Sequence, residues 1–159
     1  MNHAFLSLGS NIGNREEYIL KAIDALNNTE GVEIIRSSSN YETEAEPDKR
    51  LPPFINAAVE IITTLNPRNL LTATQEIEKD LGRTSKNDNA SRTIDIDIAL
   101  YNDKLIDEEG LTIPHPLMHK RIFVLEPIAE ISPETKHPIF EESIQDMLYD
   151  LKGCDKKYS

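Results

Sequence analysis

Residues 92–101 constrain the fold of this chain more than any other stretch, because apolar and acidic side chains alternate along them. A period of two residues predicts a β-strand, with Asp95 and Asp97 on one face. The other face then builds core, and it holds Ile94, Ile96, Ile98 and Leu100. Two carboxylates about 7 Å apart along one strand face repel each other. A divalent metal ion between them relieves that repulsion, so the pair indicates a metal site.

The aspartate pair alone leaves a second interpretation open. Short acidic pairs also occur on half-exposed strands whose carboxylates are simply solvated, so a bare Asp-x-Asp motif is weak support for a metal. Basic residues on both sides of the strand favour the metal site, and they are Arg83, Lys86, Arg92, His115, Lys120 and Arg121. Carboxylates that bind a cation beside cations that bind phosphate are typical of a metal–nucleotide site.

Length, cysteine content and charge narrow the class of protein. At 159 residues the chain has the length of a single domain, which we expect to span residues 1–159. Its single cysteine, Cys154, excludes an intramolecular disulfide and a cysteine zinc cluster, as expected in a reducing compartment. The chain starts without a cationic leader and has no long apolar run, so we expect a cytoplasmic protein. The net charge of −11 argues against nucleic acid and anionic membranes as partners.

The rest of the chain predicts two core helices and further strands. Asn14 with Glu17 forms a capping box for the first helix, and Asn66-Pro67 starts the second, which Gly82 ends. The predicted strands cover residues 4–8, 32–39, 54–64 and 92–101, and the predicted helices cover residues 15–28, 67–81 and 143–151. The order strand, helix, strand, strand, helix, strand predicts an α+β fold with a ferredoxin-like β-α-β-β-α-β core. We expect an antiparallel sheet with helices on one face and a ligand on the other, extra C-terminal strand and helix elements, and a frayed tail over 156–159.

Three connections are candidates for function. The turn Gly9–Asn14 could cradle phosphate at a helix start, but it lacks the lysine of a phosphate loop and the third glycine of a dinucleotide fingerprint. We therefore favour a structural turn. Residues 41–53 are acidic and contain three prolines, which predicts a loop of a length that is often functional. His115 lies between two prolines, whose stiff backbone suits a functional group.

Two further pairs of residues have both an ordinary and a functional interpretation. In the third strand the apolar set that starts at Ile55 should face the core, which leaves Phe54 and Asn56 side by side on the opposite face. An asparagine there is more often a satisfied sheet residue than a ligand contact. Gln75 and Glu78 share a polar face of the second helix, and on most helices such a pair is solvated.

Several sequence blocks occur in order along nearly the whole chain. They are Leu8-Gly9-Ser10-Asn11 with Gly13 and Asn14, Tyr41-x-Thr43, Phe54-x-Asn56-Ala57, Gln75-x-x-Glu78 with Gly82-Arg83, Arg92-Thr93-Ile94-Asp95-Ile96-Asp97-Ile98, and Pro114-His115-Pro116-x-Met118 with Arg121 and Phe123. In these blocks the chain resembles the 6-hydroxymethyl-7,8-dihydropterin pyrophosphokinase family of folate biosynthesis. The block from Arg92 to Ile98 is the most specific of them.

The resemblance implies an enzyme that transfers a pyrophosphoryl group from ATP to the hydroxymethyl oxygen of the pterin and releases AMP. It implies that Asp95 and Asp97 hold two Mg²⁺ ions that bridge the ATP phosphates, with Asp95 near the attacking hydroxyl group. The implied phosphate contacts and nucleotide pocket are Arg83, Arg92, His115, Arg121, Gln75, Glu78, Ile98 and Thr112. The implied pterin pocket is Thr43, Phe54, Asn56 and Phe123. The implied catalytic set is Arg83, Arg92, Asp95, Asp97 and His115, and we expect a monomer with these small molecules as partners.

The chain departs from the family pattern in two loops. Where the family usually has Arg-x-Arg-x-x-Arg-Trp-Gly-Pro-Arg, residues 83–92 lack two arginines and the tryptophan, which leaves Lys86 as the added cation for ATP. We expect this loop to close poorly over the substrates. Glu46 stands where the family has an apolar contact for the pterin, which bears on the acceptor more than on ATP.

Two alternatives to the pterin enzyme stay open. One is a diverged relative that keeps Mg-ATP chemistry but serves another acceptor, as Glu46 and Asn89 suggest. The other is a non-catalytic ferredoxin-like binding module whose acidic strand is merely solvated. Against the binding module stands one set of residues retained together, namely Arg83, Arg92, Asp95, Asp97 and His115.

Overall fold

An antiparallel sheet forms the centre of the molecule. The computed structural model describes residues 1–44, 50, 52–82 and 93–157. The strands are β1 (Asn2–Ser10), β2 (Val32–Ser37), β3 (Tyr41–Thr43), β4 (Phe54–Thr63), β5 (Asp95–Tyr101), β6 (Ile106–Glu108) and β7 (Leu111–Ile113). The helices are α1 (Arg15–Asn27), α2 (Pro67–Asp80), α3 (Ile122–Ile131) and α4 (Ile144–Lys157), with a 3-10 helix at Met118–Lys120. The sheet order is β2-β4-β1-β5, with β3 also paired to β4 and β6-β7 as a separate hairpin, which confirms the predicted ferredoxin-like fold.

Helices α1 and α2 cover one face of the sheet, as predicted. Leu6 and Leu8 of β1 belong to the same buried cluster as Ile19 of α1 and Leu70 of α2. The cluster also contains the apolar set of β4 that begins at Ile55. Removing this apolar surface from water is the main favourable contribution to folding here.

Both core helices begin at the predicted caps. Asn14 Oδ1 accepts the N–H of Glu17 at 3.2 Å, and Asn66 Oδ1 accepts the N–H of Asn69 at 2.8 Å. Pro67 occupies the start of α2, where its missing N–H leaves no intrahelical bond unmade. Caps of this type typically stabilise a helix by about 1 kcal/mol each. The caps therefore fix where each helix leaves the sheet.

The opposite face of the sheet, called the site face below, is divided between core and polar residues. Phe5 of β1, Ala58 of β4 and Leu100 of β5 pack there in a second buried cluster with α3 and α4. Toward the other end of the same face, β5 presents Asp95 and Asp97. The C-terminal helices thus cover part of the face that the sequence leaves for a ligand.

A β-bulge in β5 changes the direction of its last side chains. The β1–β5 register shifts between Phe5 and Leu6, which leaves Ala99 as an extra residue in the ladder. Leu100 therefore packs on the site face, while Tyr101 packs with α1 and α2. The prediction that Leu100 shares the face of the isoleucines is wrong, because strict alternation ends at a bulge.

Two further boundaries differ from the sequence prediction. The predicted loop over 41–53 begins with β3, since pairing to β4 rather than local propensity makes these residues a strand. Helix α3 contains Pro127, which is buried there although proline usually disfavours a helix interior. Helix α4 continues to Lys157, so Lys156 is helical rather than part of a frayed tail.

Within the described ranges, no helix is long and apolar enough to span a membrane.

We expect Leu100→Ala to lower the free energy of unfolding by about 2–5 kcal/mol, because it empties a well-packed position. Leu100 is 2% exposed, whereas Leu20 of α1 is 65% exposed, so Leu20→Ala is a matched control. The control should change stability by less than about 0.5 kcal/mol. Urea unfolding followed by circular dichroism measures both variants. Equal stability of the two variants would contradict the burial of Leu100 in the second cluster.

Candidate active site

The aspartate pair lies on the site face, where β5 runs beside β1. Asp97 is opposite Ser7 and Asp95 is opposite Gly9 in the register of these two strands. Both aspartates are half-buried, while the isoleucines that alternate with them belong to the cluster under α1 and α2. The predicted alternation therefore holds over the acidic segment, and the two carboxylates start from neighbouring positions of one face.

A second polar pair, Asn56 and Thr43, lies on the same face two strands away. Gly9 of the intervening strand is opposite Asn56 on one side and opposite Asp95 on the other. Asn56 is 4% exposed, and its Nδ2 donates to Thr43 Oγ1 at 2.6 Å. This bond orients the amide, whose Oδ1 lies 3.4 Å from the point that a Cβ of residue 9 would occupy. A fixed acceptor atom is thus held on the same face as the aspartates.

The turn after β1 positions Phe54, which lies on the site face at the start of β4. Asn11 Nδ2 donates to the carbonyl oxygen of Pro52 at 3.1 Å, and Arg15 Nη1 donates to that of Pro53 at 2.9 Å. The Arg15 guanidinium also forms an ion pair with the Glu42 carboxylate of β3, at 3.0 Å. These bonds give Asn11 and Arg15 a structural role at the start of β4. Sequence reasoning missed Arg15, whose only signal is a cation directly after the capping asparagine.

His115 is held by its backbone and by its ring. Its N–H donates to the carbonyl oxygen of the bulge residue Ala99 at 2.9 Å, and its Nδ1 accepts the N–H of Leu117 at 3.2 Å. The proton of the neutral ring is therefore on Nε2. Burial and the Arg121 charge together lower the pKa of His115 to about 4, although the Asp95 charge acts in the opposite direction. The imidazole is therefore neutral near pH 7, and its Nε2–H is a hydrogen-bond donor close enough to Asp95 to be affected by its charge.

Arg121 brings a cation and a helix start to the same region. It precedes α3, and its guanidinium carbon lies 5.5 Å from the ring centroid of Phe123. The first N–H groups of a helix carry partial positive charge and commonly bind phosphate. The cation and the helix start suit an anionic group, and the aromatic ring suits a flat heterocycle. Arg121 and Phe123 therefore place a cation and an aromatic ring next to each other at the start of α3.

β5 is the outer strand of the sheet. Of the residues predicted for the nucleotide pocket, Ile98 lies on β5, Gln75 and Glu78 lie on α2, and Thr112 lies on β7. Glu78 is 2% exposed and its Oε2 accepts the N–H of Ile96 at 2.7 Å, so this carboxylate is not solvated. Gln75 is exposed on the same helix, and Thr112 is exposed on β7. Because backbone direction repeats every two residues in a strand, the N–H of Ile98 points to the same edge as that of Ile96. An edge of backbone donors and acceptors can recognise the rim of a nucleobase.

The chain is similar to a known family and to several known proteins. A family model described as 7,8-dihydro-6-hydroxymethylpterin-pyrophosphokinase (HPPK) matches residues 5–133. The 2-amino-4-hydroxy-6-hydroxymethyldihydropteridine pyrophosphokinase of Bacillus subtilis (strain 168) is 47% identical over 130 residues, which are 82% of this chain and 78% of that protein. This chain belongs to the HPPK family. The protein of the same name from Aquifex aeolicus (strain VF5) is 39% identical over 146 residues, 92% of this chain and 90% of that protein.

Longer proteins also contain an HPPK-like region. The Plasmodium falciparum HPPK-DHPS wild type with pteroate shares the fold at a TM-score of 0.79 and 18% identity, over 98% of this chain and 43% of that chain. The folic acid synthesis protein fol1 of Schizosaccharomyces pombe is 41% identical over 145 residues, 91% of this chain but 20% of that protein. The chain thus spans less than half of these longer relatives. HPPK membership confirms the predicted pyrophosphokinase class and its link to folate biosynthesis.

The other residues predicted for the HPPK site lie outside the described ranges. They are Arg83, Lys86 and Arg92, and the same holds for Glu46 and for the predicted closing loop over 84–91. Their roles stay predictions. The described part of the predicted site therefore lies on β3, β4 and β5, on α2 and β7, in the His115 segment and at the start of α3.

The donor set fits a metal that is bound together with a polyphosphate. Within the described residues, no cluster of three or more histidine, cysteine or acidic side chains could hold a metal by itself. Mg²⁺ usually keeps several waters and takes one or two carboxylates plus phosphate oxygens, rather than a complete protein cage. Asp95 and Asp97 offer two carboxylates on one face, which matches that preference.

We expect His115 to titrate near pH 4 rather than near 6.5, because the folded environment disfavours its charged form. Between these values the unfolded chain binds a proton at this position and the folded chain does not. His115 therefore makes the folded state less stable as the pH falls from about 6.5 to about 4. NMR of the imidazole ring protons against pH measures the titration.

Two substitutions test the causes of this shift with opposite signs. Arg121→Gln should raise the pKa of His115, and Asp95→Asn should lower it, because the two charges act in opposite directions. A titration near 6.5 in the unchanged chain, or shifts of the same sign in both variants, would contradict the described surroundings of the ring.

Proposed function

We propose that this HPPK-family chain transfers the pyrophosphoryl group of ATP to the hydroxymethyl oxygen of 6-hydroxymethyl-7,8-dihydropterin and releases AMP. The observation that carries the proposal is that two chemically different groups share the site face. Asp95 and Asp97 offer carboxylates on β5, and two strands away Asn56 offers an oriented amide beside Phe54. The first group suits a phosphate-bound metal, and the second suits a flat polar heterocycle.

The pterin side of the proposed site uses Asn56, Thr43, Phe54 and Phe123. The Oδ1 of Asn56 is the acceptor for an N–H group of the heterocycle, since the Nδ2 of the same amide is already bonded to Thr43. Aromatic rings offer large rigid faces for a flat ligand. Loss of the amide orientation would therefore weaken recognition of the pterin before that of ATP.

The nucleotide side of the proposed site uses backbone and charge. The strand edge at Ile98, with Gln75, Glu78 and Thr112 nearby, receives the base. The phosphates meet the Nε2–H of His115 and the guanidinium of Arg121, and we assign Arg83, Lys86 and Arg92 to the same task. The two Mg²⁺ ions that we assign to Asp95 and Asp97 would neutralise phosphate charge when bound.

Register supports a particular role for Asp95. It is opposite Gly9, which is opposite Asn56, whereas Asp97 lies one pair further along β5. A short arm on a heterocycle bound at Asn56 therefore comes to Asp95 before Asp97. This order supports Asp95 as the carboxylate beside the attacking hydroxyl group, with His115 and Arg121 on the phosphate that it attacks.

One assay distinguishes this reaction from the two alternatives. The purified chain receives ATP, Mg²⁺ and 6-hydroxymethyl-7,8-dihydropterin, and the nucleotide and pterin products are separated by chromatography. AMP together with the pterin diphosphate supports the proposal. Formation of ADP, or ATP hydrolysis that does not depend on the pterin, would contradict it and favour a relative with another acceptor. Absence of any nucleotide product would favour the binding module.

We expect Asp95→Asn and Asp97→Asn each to reduce turnover to below about 1%, because a carboxamide keeps the shape but cannot neutralise a metal. The fold should stay intact, since both side chains lie outside the isoleucine cluster. Asp103→Asn, in the exposed turn after β5, is the matched control and should retain full activity. Near-normal turnover of either site variant, with an unchanged circular dichroism spectrum, would remove the metal assignment.

We expect His115→Ala to weaken use of ATP more than use of the pterin. Removal of a positioned donor to a charged oxygen costs on the order of 1–3 kcal/mol. Steady-state kinetics with each substrate varied in turn measures the effect. His119→Ala removes an imidazole four residues further on and is the control. Unchanged ATP affinity and turnover in His115→Ala would refute the phosphate contact.

A further inference from the structure

Gly9 occupies a position where a glycine is unfavourable. It lies in β1, which pairs with β4 on one side and with β5 on the other, and it takes part in both ladders. Glycine in a strand adds no side chain to the packing and loses more backbone freedom on folding than other residues. A glycine in such a strand therefore requires a specific reason.

Among the residues that the structure describes, neither the backbone nor the packing supplies that reason. Gly9 does not have a positive φ, and the register shift of β1 lies between Phe5 and Leu6. A Cβ built at position 9 would lie 3.4 Å from Asn56 Oδ1 and 3.4 Å from Phe54 Cδ1, which is ordinary van der Waals contact. An alanine would therefore fit the strand without displacing either neighbour.

The remaining reason is close approach of a ligand to the backbone. On the site face, Gly9 separates Asn56 from Asp95, and the ring of Phe54 lies beside it. Glycines in strands commonly mark places where a ligand comes close to the main chain. Any ligand that contacts both the amide of Asn56 and the carboxylate of Asp95 must pass over residue 9.

We propose that Gly9 determines the specificity for the acceptor, an inference that rests on the proposed function. The backbone surface of residue 9 between Asn56 and Asp95, called the floor below, carries no side chain. A flat heterocycle with a one-carbon hydroxymethyl arm spans these two residues only when it lies close to the sheet. A methyl group on residue 9 would lift the ring and move the arm away from the aspartate. The nucleotide, which we place at the outer edge of β5, does not cross this position.

Three variants test the role of Gly9. Gly9→Ala and Gly9→Ser add one and two heavy atoms to the floor. Ser7→Thr is the matched control, because it adds one methyl group to the same face of the same strand, where residue 7 is opposite Ala58 and Asp97. For each protein, calorimetry measures binding of 6-hydroxymethyl-7,8-dihydropterin at saturating Mg²⁺ and α,β-methylene-ATP. Binding of the nucleotide analogue alone and the melting temperature are measured in parallel.

We expect Gly9→Ala to raise the Kd of the pterin by at least about tenfold, and Gly9→Ser to raise it further, because the added atoms overfill the floor. The Kd of the nucleotide analogue should stay within about twofold, since it binds elsewhere. The melting temperature should be equal or higher, because alanine suits a strand better than glycine. Ser7→Thr should leave both Kd values within about twofold.

Several results would overturn the inference. They are pterin binding by Gly9→Ala within about twofold of the unchanged chain, equal weakening by Ser7→Thr, and a Gly9→Ala protein that melts earlier or does not fold. The last result would show that packing, not the ligand, requires the glycine. Failure of the proposed function has a different signature, because the unchanged chain itself would then bind no pterin and form no AMP from it.

Discussion

The register of β1 is the constraint on which the candidate site depends. This strand lies between β4 and β5, so its pairing determines which side chains of those two strands meet on the site face. Asn56 and Asp95 are neighbours of the same glycine although they are far apart in the chain. A slip of one residue in either ladder would turn Asp95 or Asn56 into the core under α1 and α2. The isoleucines of β5 prevent that slip, since it would expose them on the site face.

The bulge at Ala99 affects both the packing of the second cluster and the position of His115, which we assign to the phosphates. It turns Leu100 toward α3 and α4, and it presents the carbonyl oxygen of Ala99 to the N–H of His115. The packing of the C-terminal helices and the position of His115 are therefore set by the same irregularity of the strand. Bulges next to active sites commonly redirect a side chain in this way.

Hydrogen bonds from β3 and the residues before it to α3 hold the proposed pterin side of the site in place. Tyr41 of β3 donates its hydroxyl hydrogen to Glu130 of α3 at 2.5 Å, and Glu130 also accepts the N–H of Ser39. Burial and the Glu130 carboxylate raise the pKa of Tyr41 to about 12, so the phenol stays a donor at neutral pH. This bond ties the strand that carries Thr43 to the helix that follows Arg121. The two proposed substrate sides of the site are thus connected through contacts outside it.

The sequence alone determined the parts of this protein that depend on local periodicity and local capping. The alternation over residues 92–101 gave the strand and the face of the aspartates, and the caps at Asn14 and Asn66 gave the helix starts. The family motifs gave the class of enzyme. These features are readable because each depends on residues a few positions apart.

Only the tertiary structure decided the bulge at Ala99, the burial of Glu78 against Ile96, the bonds of Arg15 and the place of Gly9 between Asn56 and Asp95. Each of them depends on partners from another strand or helix, and no local pattern encodes which backbone group will need that partner. The same holds for α3, which contains the buried Pro127 despite the usual helix-breaking effect of proline. Local sequence sets the direction of a side chain, and long-range pairing sets what that side chain meets.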